Sequence, residues 1–131
     1  MRVLLVDDAA DVRRLIAALI DVHDQGWSVV GEAANGREAI ENAPPSDPDL
    51  VLLDLSMPVM DGLEALPHLR RAVPGAAVVV LSGFPSDAAQ QAALAAGAHG
   101  YLEKDALVDS LIPRLQAILD ALHTDRHQDR R

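Results

Sequence analysis

The sequence predicts an α/β domain, a doubly wound five-stranded parallel sheet with helices on both faces, from three observations. Short, near-continuous runs of Leu and β-branched residues recur along the chain, the mark of strands buried on both faces. Between them lie segments with apolar residues at three- and four-residue spacing, the stripe of an amphipathic helix. Run and stripe alternate five times, and a (βα)5 alternation gives a parallel sheet with right-handed crossovers.

Each element has its own signal in the chain. Val3, Leu4, Leu5 and Val6 form the first strand, and Val12, Leu15, Ile16, Leu19 and Ile20 give the first helix its stripe. Asp8 and Asp11 are its candidate caps. Residues 27–33 are weaker and more polar, which suits an edge strand. Asn35-Gly36 precedes a short second helix through Ala39 and Ile40 that Pro44-Pro45 should stop, because proline cannot continue a helix. Leu50, Val51, Leu52 and Leu53 form the third strand. Leu63, Leu66, Leu69 and Val73 carry the third helix, with Pro67 expected to confine its regular part to the residues after it. Residues 76–81 are the fourth strand; Ser86 or Asp87 caps the fourth helix and Gly97 ends it. Tyr101-Leu102 is the fifth strand. Val108, Leu111, Ile112, Leu115, Ile118, Leu119 and Leu122 make the last stripe, where Pro113 predicts a kink near Ser110 or a start near Ile112. The domain so drawn spans residues 1–123. Residues 124–131 carry charge, His and Gln without an apolar anchor and are expected as a disordered tail or linker stub.

Composition narrows the function. A chain of 131 residues fits one domain and can bury roughly two thirds of its unfolded surface without staples. With one Trp, one Tyr and one Phe, the core must come from Leu, Val, Ile and Ala. The absence of Cys excludes a disulfide scaffold, a Cys-based metal site and a thiol nucleophile. No apolar run approaches the ~20 residues of a membrane span, and the start turns acidic at Asp7-Asp8, too soon for a signal peptide. The expected setting is cytoplasmic. The net charge of −9, with no basic patch, argues against nucleic-acid contact by this domain itself. Ten of the eleven basic residues are Arg, which a compositional bias explains for the surface; the single Lys, Lys104, stands apart.

The polar residues that end the buried runs form the informative pattern. Asp7-Asp8 comes after the first run, Asp54 after the third, Ser82-Gly83 after the fourth and Glu103-Lys104 after the fifth. In a parallel sheet these positions share one edge, the carboxyl ends of the strands, where open α/β sheets bind ligands. Taken singly, each has a bland explanation: an Asp caps a helix, Ser82 makes a turn, Lys104 is solvated. Together they place three carboxylates, a hydroxyl and an ammonium around one crevice. Clustered carboxylates raise one another's pKa, and a hard divalent cation such as Mg²⁺ relieves the repulsion. A carboxylate can attack phosphorus to give an aspartyl-phosphate, while the hydroxyl and ammonium hold phosphoryl oxygens. Gly83, without a side chain, leaves that position open. The carboxylates facing Lys104 should also raise its pKa.

These residues resemble the receiver domain of two-component response regulators over residues 1–122. Asp7-Asp8 is similar to the acidic pair of that family, and residues 54–62 (DLSMPVMDG) to its phosphoacceptor segment. Leu81-Ser82-Gly83 is similar to its hydroxyl position, and residues 97–104 (GAHGYLEK) to its lysine segment. The resemblance implies a flavodoxin-like fold of strand order 2-1-3-4-5 and phosphotransfer from a sensor histidine kinase to Asp54. It further implies that Asp8 and Asp54 bind Mg²⁺ directly, Asp7 through water, and Ser56 through its backbone carbonyl. Ser82 and Lys104 would then hold the phosphoryl group, and Tyr101 would be the aromatic switch that moves with Ser82. Residues 29–36 and 101–106 look like the NarL/FixJ subfamily, in which a LuxR-type helix-turn-helix output domain comes after the receiver. The 131 residues hold no such domain, so a stand-alone receiver or one cut from a transcription factor is expected, with a homodimer among the assemblies. Lys104-Asp105 departs from the Lys-Pro found elsewhere in the family, which bears on whether that peptide bond is cis.

Two other functions compete. A Mg²⁺-dependent phosphohydrolase with an aspartate nucleophile would carry an acid two residues after it, where this chain has Ser56. A receiver-like interaction module that is never phosphorylated would not need the full set of site residues. The expectation is therefore a signalling switch and no enzyme beyond its own phosphoryl transfer and dephosphorylation.

Overall fold

The computed structural model describes residues 1–23, 25–83 and 86–129. Strands β1 (Arg2–Val6), β2 (Ser28–Ala33), β3 (Leu50–Asp54), β4 (Ala77–Ser82) and β5 (Gly100–Glu103) form one parallel sheet in the order β2-β1-β3-β4-β5. Helices α1 (Ala10–His23), α2 (Gly36–Ser46), α3 (Gly62–Ala72), α4 (Asp87–Ala95) and α5 (Leu107–Asp129) complete the crossovers. A short 3-10 turn, Lys104–Ala106, leads into α5. This is the doubly wound fold and strand order expected from the sequence.

The sheet is inner where the sequence is most apolar. Every residue of β3 and β4 is buried, whereas β2, at one edge, buries only Ala33 fully. Alternation along the strands separates two cores. Leu4, Val6, Val51, Leu53, Val78 and Val80 face α2, α3 and α4, meeting Ala39, Ala43, Ala65, Leu66, Leu69 and Ala93. Val3, Leu5, Leu50, Leu52, Val79 and Leu81 face α1 and α5, meeting Ile16, Ile20, Leu111 and Leu115. A fully buried Leu or Ile contributes roughly 1.5–3 kcal/mol, so Ile16 and Ile20 suffice to hold α1 on the sheet.

Four prolines interrupt less than expected. Helix α2 continues through Pro44 and Pro45 to Ser46. Both lie in its last turn, and Asp47, at φ 48°, closes it by returning its N–H to the carbonyls of Ala43 and Pro44. Helix α3 starts ahead of Pro67, because Asp61 Oδ1 accepts the Glu64 N–H at 2.8 Å and fixes the first turn at Gly62. Ala65, Leu66 and Leu69, buried on either side of Pro67, carry the helix across it. Helix α5 begins at Leu107 and runs through Pro113, with Leu107, Leu111 and Leu115 seated in the core.

Helix α5 extends its backbone to Asp129, past the apolar stripe and into the segment expected as a tail. Once a helix is nucleated, each further residue adds a hydrogen bond without needing an anchor. Residues 130 and 131 lie outside the described residues. Helix α1 begins at Ala10, which places Asp11 inside its first turn rather than at a cap. Ser86 does cap α4, its Oγ accepting the Ala89 N–H at 3.0 Å, and Gly97 comes just past the helix at φ +113°.

Candidate functional site

Register brings the chemistry to one edge. Val6 of β1 pairs with Leu53 of β3, Asp54 with Leu81 of β4, and Ser82 with Glu103 of β5. Asp7, Asp54, Ser82 and Lys104 therefore end up at neighbouring carboxyl ends.

Lys104 occupies the centre. Its Nζ lies 2.7 Å from Asp7 Oδ2 and 3.2 Å from Asp54 Oδ1. Asp7, Asp54 and Ser82 are buried, while Asp8 is exposed at the mouth. Ligand oxygens of Asp7, Asp8 and Asp54 lie within 4.8 Å of one another, close enough to share a cation. Burial, and after it the negative charge of Asp7, pushes the Asp54 carboxyl above its ordinary value against the pull of Lys104. Burial is also the largest influence on Lys104, and opposes its charge. The Asp7 hydrogen bond and the Coulombic attraction of Asp54 and Asp7 outweigh it and raise its pKa, the direction the sequence predicts.

The loops support this arrangement. Asp54 Oδ1 also accepts the Ser56 N–H at 3.3 Å. Beyond Ser56, the Met60 N–H donates to the Pro58 carbonyl at 2.7 Å around Val59, whose φ is +68°. This is a γ-turn of the uncommon, strained hand. The Met60 carbonyl then accepts the Gly36 N–H at 2.8 Å, tying the loop to the start of α2. A Cβ on Gly83 would touch the Lys104 stem at 3.7 Å, so this glycine borders the ammonium.

Tyr101 pairs with Val80 in register and is half-buried against the α2–α3–α4 core. By alternation from Val80, Ser82 falls on the same face. The Tyr101 hydroxyl is buried without a hydrogen-bond partner among the described residues. A cavity of about 150 Å³ beside it is lined by Ser86, Asp87, Gln90 and Glu103. The Lys104–Asp105 peptide is trans.

The predicted site side chains thus gather at the sheet edge, except Tyr101, which lies two strand positions back from the level of Ser82. The sequence reading missed Arg13, whose guanidinium donates to the Asp7 carbonyl, and Gly62, which packs on Asp54. The signal for Arg13 was a basic residue one turn into the helix after the acidic pair, obscured by the abundance of Arg.

An acidic crevice at the carboxyl edge of a doubly wound sheet marks the class of open α/β domain whose ligand site lies at the strand ends. The chain belongs to the response regulator receiver domain family, whose model matches residues 3–116. It is 39% identical over 103 residues to the chemotaxis protein CheY of Thermotoga maritima, covering 79% of this chain and 84% of that one. It is 42% identical over 113 residues to the nitrate/nitrite response regulator protein NarL of Escherichia coli, covering 86% of this chain and 52% of NarL. The chain thus spans about half the length of NarL. A LuxR-family two-component response regulator from Aurantimonas superposes with a TM-score of 0.84 at 34% identity, over 92% of this chain and 85% of that one. As a receiver domain, the chain is a phosphorylation-dependent signalling switch. No helix among the described residues is long and apolar enough to cross a membrane.

Proposed function

We propose that Asp54 is the phosphoacceptor and that a sensor histidine kinase is the donor. The observation that carries this is the position of the chain's single lysine, its Nζ within 3.2 Å of both Asp7 and Asp54 at the carboxyl edge of the sheet. An Asp54 carboxylate oxygen attacks phosphorus, the P–O bond forms, the P–N bond to the donor imidazole breaks, and the imidazole leaves with the electron pair. Lys104 then exchanges its carboxylate partner for a phosphoryl oxygen, and the Ser82 hydroxyl donates to another. Tyr101, on the face of Ser82 and beside the cavity at α4, moves inward with the hydroxyl and reports the change to a partner surface.

The acidic cluster fits Mg²⁺: three carboxylates converge, and Asp54 is held in a state that favours neutralisation. Asp8 and Asp54 would bind it directly, Asp7 through water, and Ser56 through its carbonyl. When bound, Mg²⁺ offsets the carboxylate charge and polarises the incoming phosphoryl group. A cytoplasmic setting and homodimer formation accompany this reading. Where an output domain accompanies the receiver, the switch controls transcription. The domain catalyses its own phosphorylation and dephosphorylation and no other turnover.

Incubation with acetyl phosphate and Mg²⁺, with intact-mass measurement afterwards, tests the assignment. A transient phosphoryl adduct, absent without Mg²⁺ and absent in Asp54→Asn, is the expected result. Steady turnover of phosphate esters would mark a phosphohydrolase instead, and no adduct at all would mark a passive interaction module.

A further inference from the structure

Each polar atom of Asp7 has a partner. Its N–H donates to the Ala33 carbonyl at 3.0 Å, Oδ1 accepts the Ala9 N–H at 2.9 Å, and Oδ2 pairs with Lys104 at 2.7 Å. Its carbonyl accepts from the Arg13 guanidinium, which reaches back from one turn into α1. Arg13 is no loose surface arginine. Its side chain is 19% exposed, and its Nε donates to Glu32 Oε1 at 3.0 Å. The Glu32 carbonyl in turn accepts from Asn42 Nδ2 at 3.1 Å. The planar guanidinium thus directs two donors at fixed angles, one to a β2 carboxylate and one to the turn between β1 and α1.

The peptide that joins Asp7 to Asp8 is planar. Holding its carbonyl sets the dihedral on the Asp7 side and the dihedral on the Asp8 side together. Those two angles set the relative directions in which the two Asp side chains leave the backbone. We infer that Arg13, clamped by Glu32, is a positioning residue for the divalent-cation site: it fixes the Asp7–Asp8 peptide so that both carboxylates converge with Asp54.

This role for Arg13 rests on the reading of the acidic cluster as a Mg²⁺ site. It has a consequence opposite in sign to simple electrostatics. Removing a positive charge beside an acidic cluster should tighten cation binding; releasing the peptide should weaken it. Loss of an outer partner of a metal site lowers affinity about 10–100-fold, so positioning is expected to win. Calorimetry should show Arg13→Gln binding Mg²⁺ roughly ten-fold more weakly than the unsubstituted protein. The Mg²⁺-dependent rise in melting temperature should shrink in parallel, while melting in EDTA reports the fold alone. Arg13→Lys, which keeps the charge but not the planar fork that reaches both partners, should recover part of the affinity. Equal or tighter Mg²⁺ binding by folded Arg13→Gln overturns the proposal. If that variant melts below the assay temperature, Arg13→Lys decides: affinity equal to the unsubstituted protein overturns it. Failure of the unsubstituted protein to bind Mg²⁺ overturns the cation reading and this inference together, whereas equal binding by all three proteins overturns this one alone.

Discussion

Gly62 packs against the main chain of Asp54: a Cβ at Gly62 would lie 2.1 Å from the Asp54 carbonyl oxygen and 2.9 Å from its carbonyl carbon. The same glycine donates its N–H to the Leu55 carbonyl at 3.0 Å. Neither neighbour is a flexible side chain, so a methyl group must push the end of β3 away from the start of α3. Overpacking of this kind costs roughly 1–3 kcal/mol. Gly62→Ala should therefore lower stability by about that amount and slow labelling by acetyl phosphate, since Asp54 itself is displaced. Denaturant unfolding checks the first effect and intact mass the second. A variant as stable and as readily labelled as its parent would contradict the packing.

Val59 is a second place where backbone geometry carries a cost. A β-branched residue at φ +68° is a steric outlier, and Val59 is 76% exposed, so its side chain gains little from burial. Left-handed strain costs roughly 1–2 kcal/mol, and the extra freedom of glycine in the unfolded chain offsets roughly 0.5–1 kcal/mol of any relief. Val59→Gly should stabilise the protein by about 0.5–1 kcal/mol. Urea titration with an unchanged slope is the measurement; a destabilised variant would mean that the valine makes contacts worth more than its strain.

The charge of Asp54 makes stability depend on pH. Burial, and then Asp7, raise its folded pKa above the ordinary 3.8. The folded state therefore holds the proton more tightly than the unfolded chain. That contribution is complete below 3.8 and disappears as pH rises through the raised value. Without Mg²⁺, Asp54→Asn should melt higher than its parent near neutral pH, and the gap should close as the pH falls below 3.8. Melting curves of the two proteins across this range test the sign. A constant gap would show that Asp54 is not destabilised by its charge.

Helix α4 should be the least protected element of the folded body. Ala93 is its one buried residue, and Leu94, its one large apolar residue, is 45% exposed. At ~25 cal/mol per Å² of apolar area, an alanine anchors a helix weakly. Elements with few buried apolar contacts open first. Amide hydrogen exchange should be faster in α4 than in α1, which is held by Ile16 and Ile20. Equal protection of the two helices would refute this.

The strands and the site were legible in the sequence for one reason: inner strands must be apolar throughout, so the first polar residue after each run marks the sheet edge. Asp7, Asp54 and Ser82 are such residues, and Lys104 comes directly after Glu103, the first polar residue of the fifth run. The prolines mislead a sequence reading because their local cost says nothing of the tertiary contacts around them. Pro67 sits between Ala65 and Leu69, both buried, and Pro113 between Leu111 and Leu115. Arg13 and Gly62 act on main-chain atoms, and such contacts leave no apolar or charge pattern to read. The strained turn at Val59 was hidden similarly, because only the backbone shows that the position is left-handed.

Arg70, near the end of α3, donates to the Gly97 carbonyl at 2.7 Å and lies 2.8 Å from His99 Nε2. His99 in turn exchanges backbone and ring hydrogen bonds with Val78 of β4. Together with the Ala98 N–H, which returns to the Ala93 carbonyl, these contacts rivet the C-terminal end of α4 to the sheet. Among the described residues, its N-terminal end is held by the Ser86 cap and carries no large buried side chain. A helix pinned at one end and weakly anchored at the other is expected to pivot rather than slide, with the left-handed Gly97 at the fulcrum. The expected opening is widest beside Tyr101 and the cavity next to it and smallest at His99, whose hydrogen bonds to Val78 hold β5 in register.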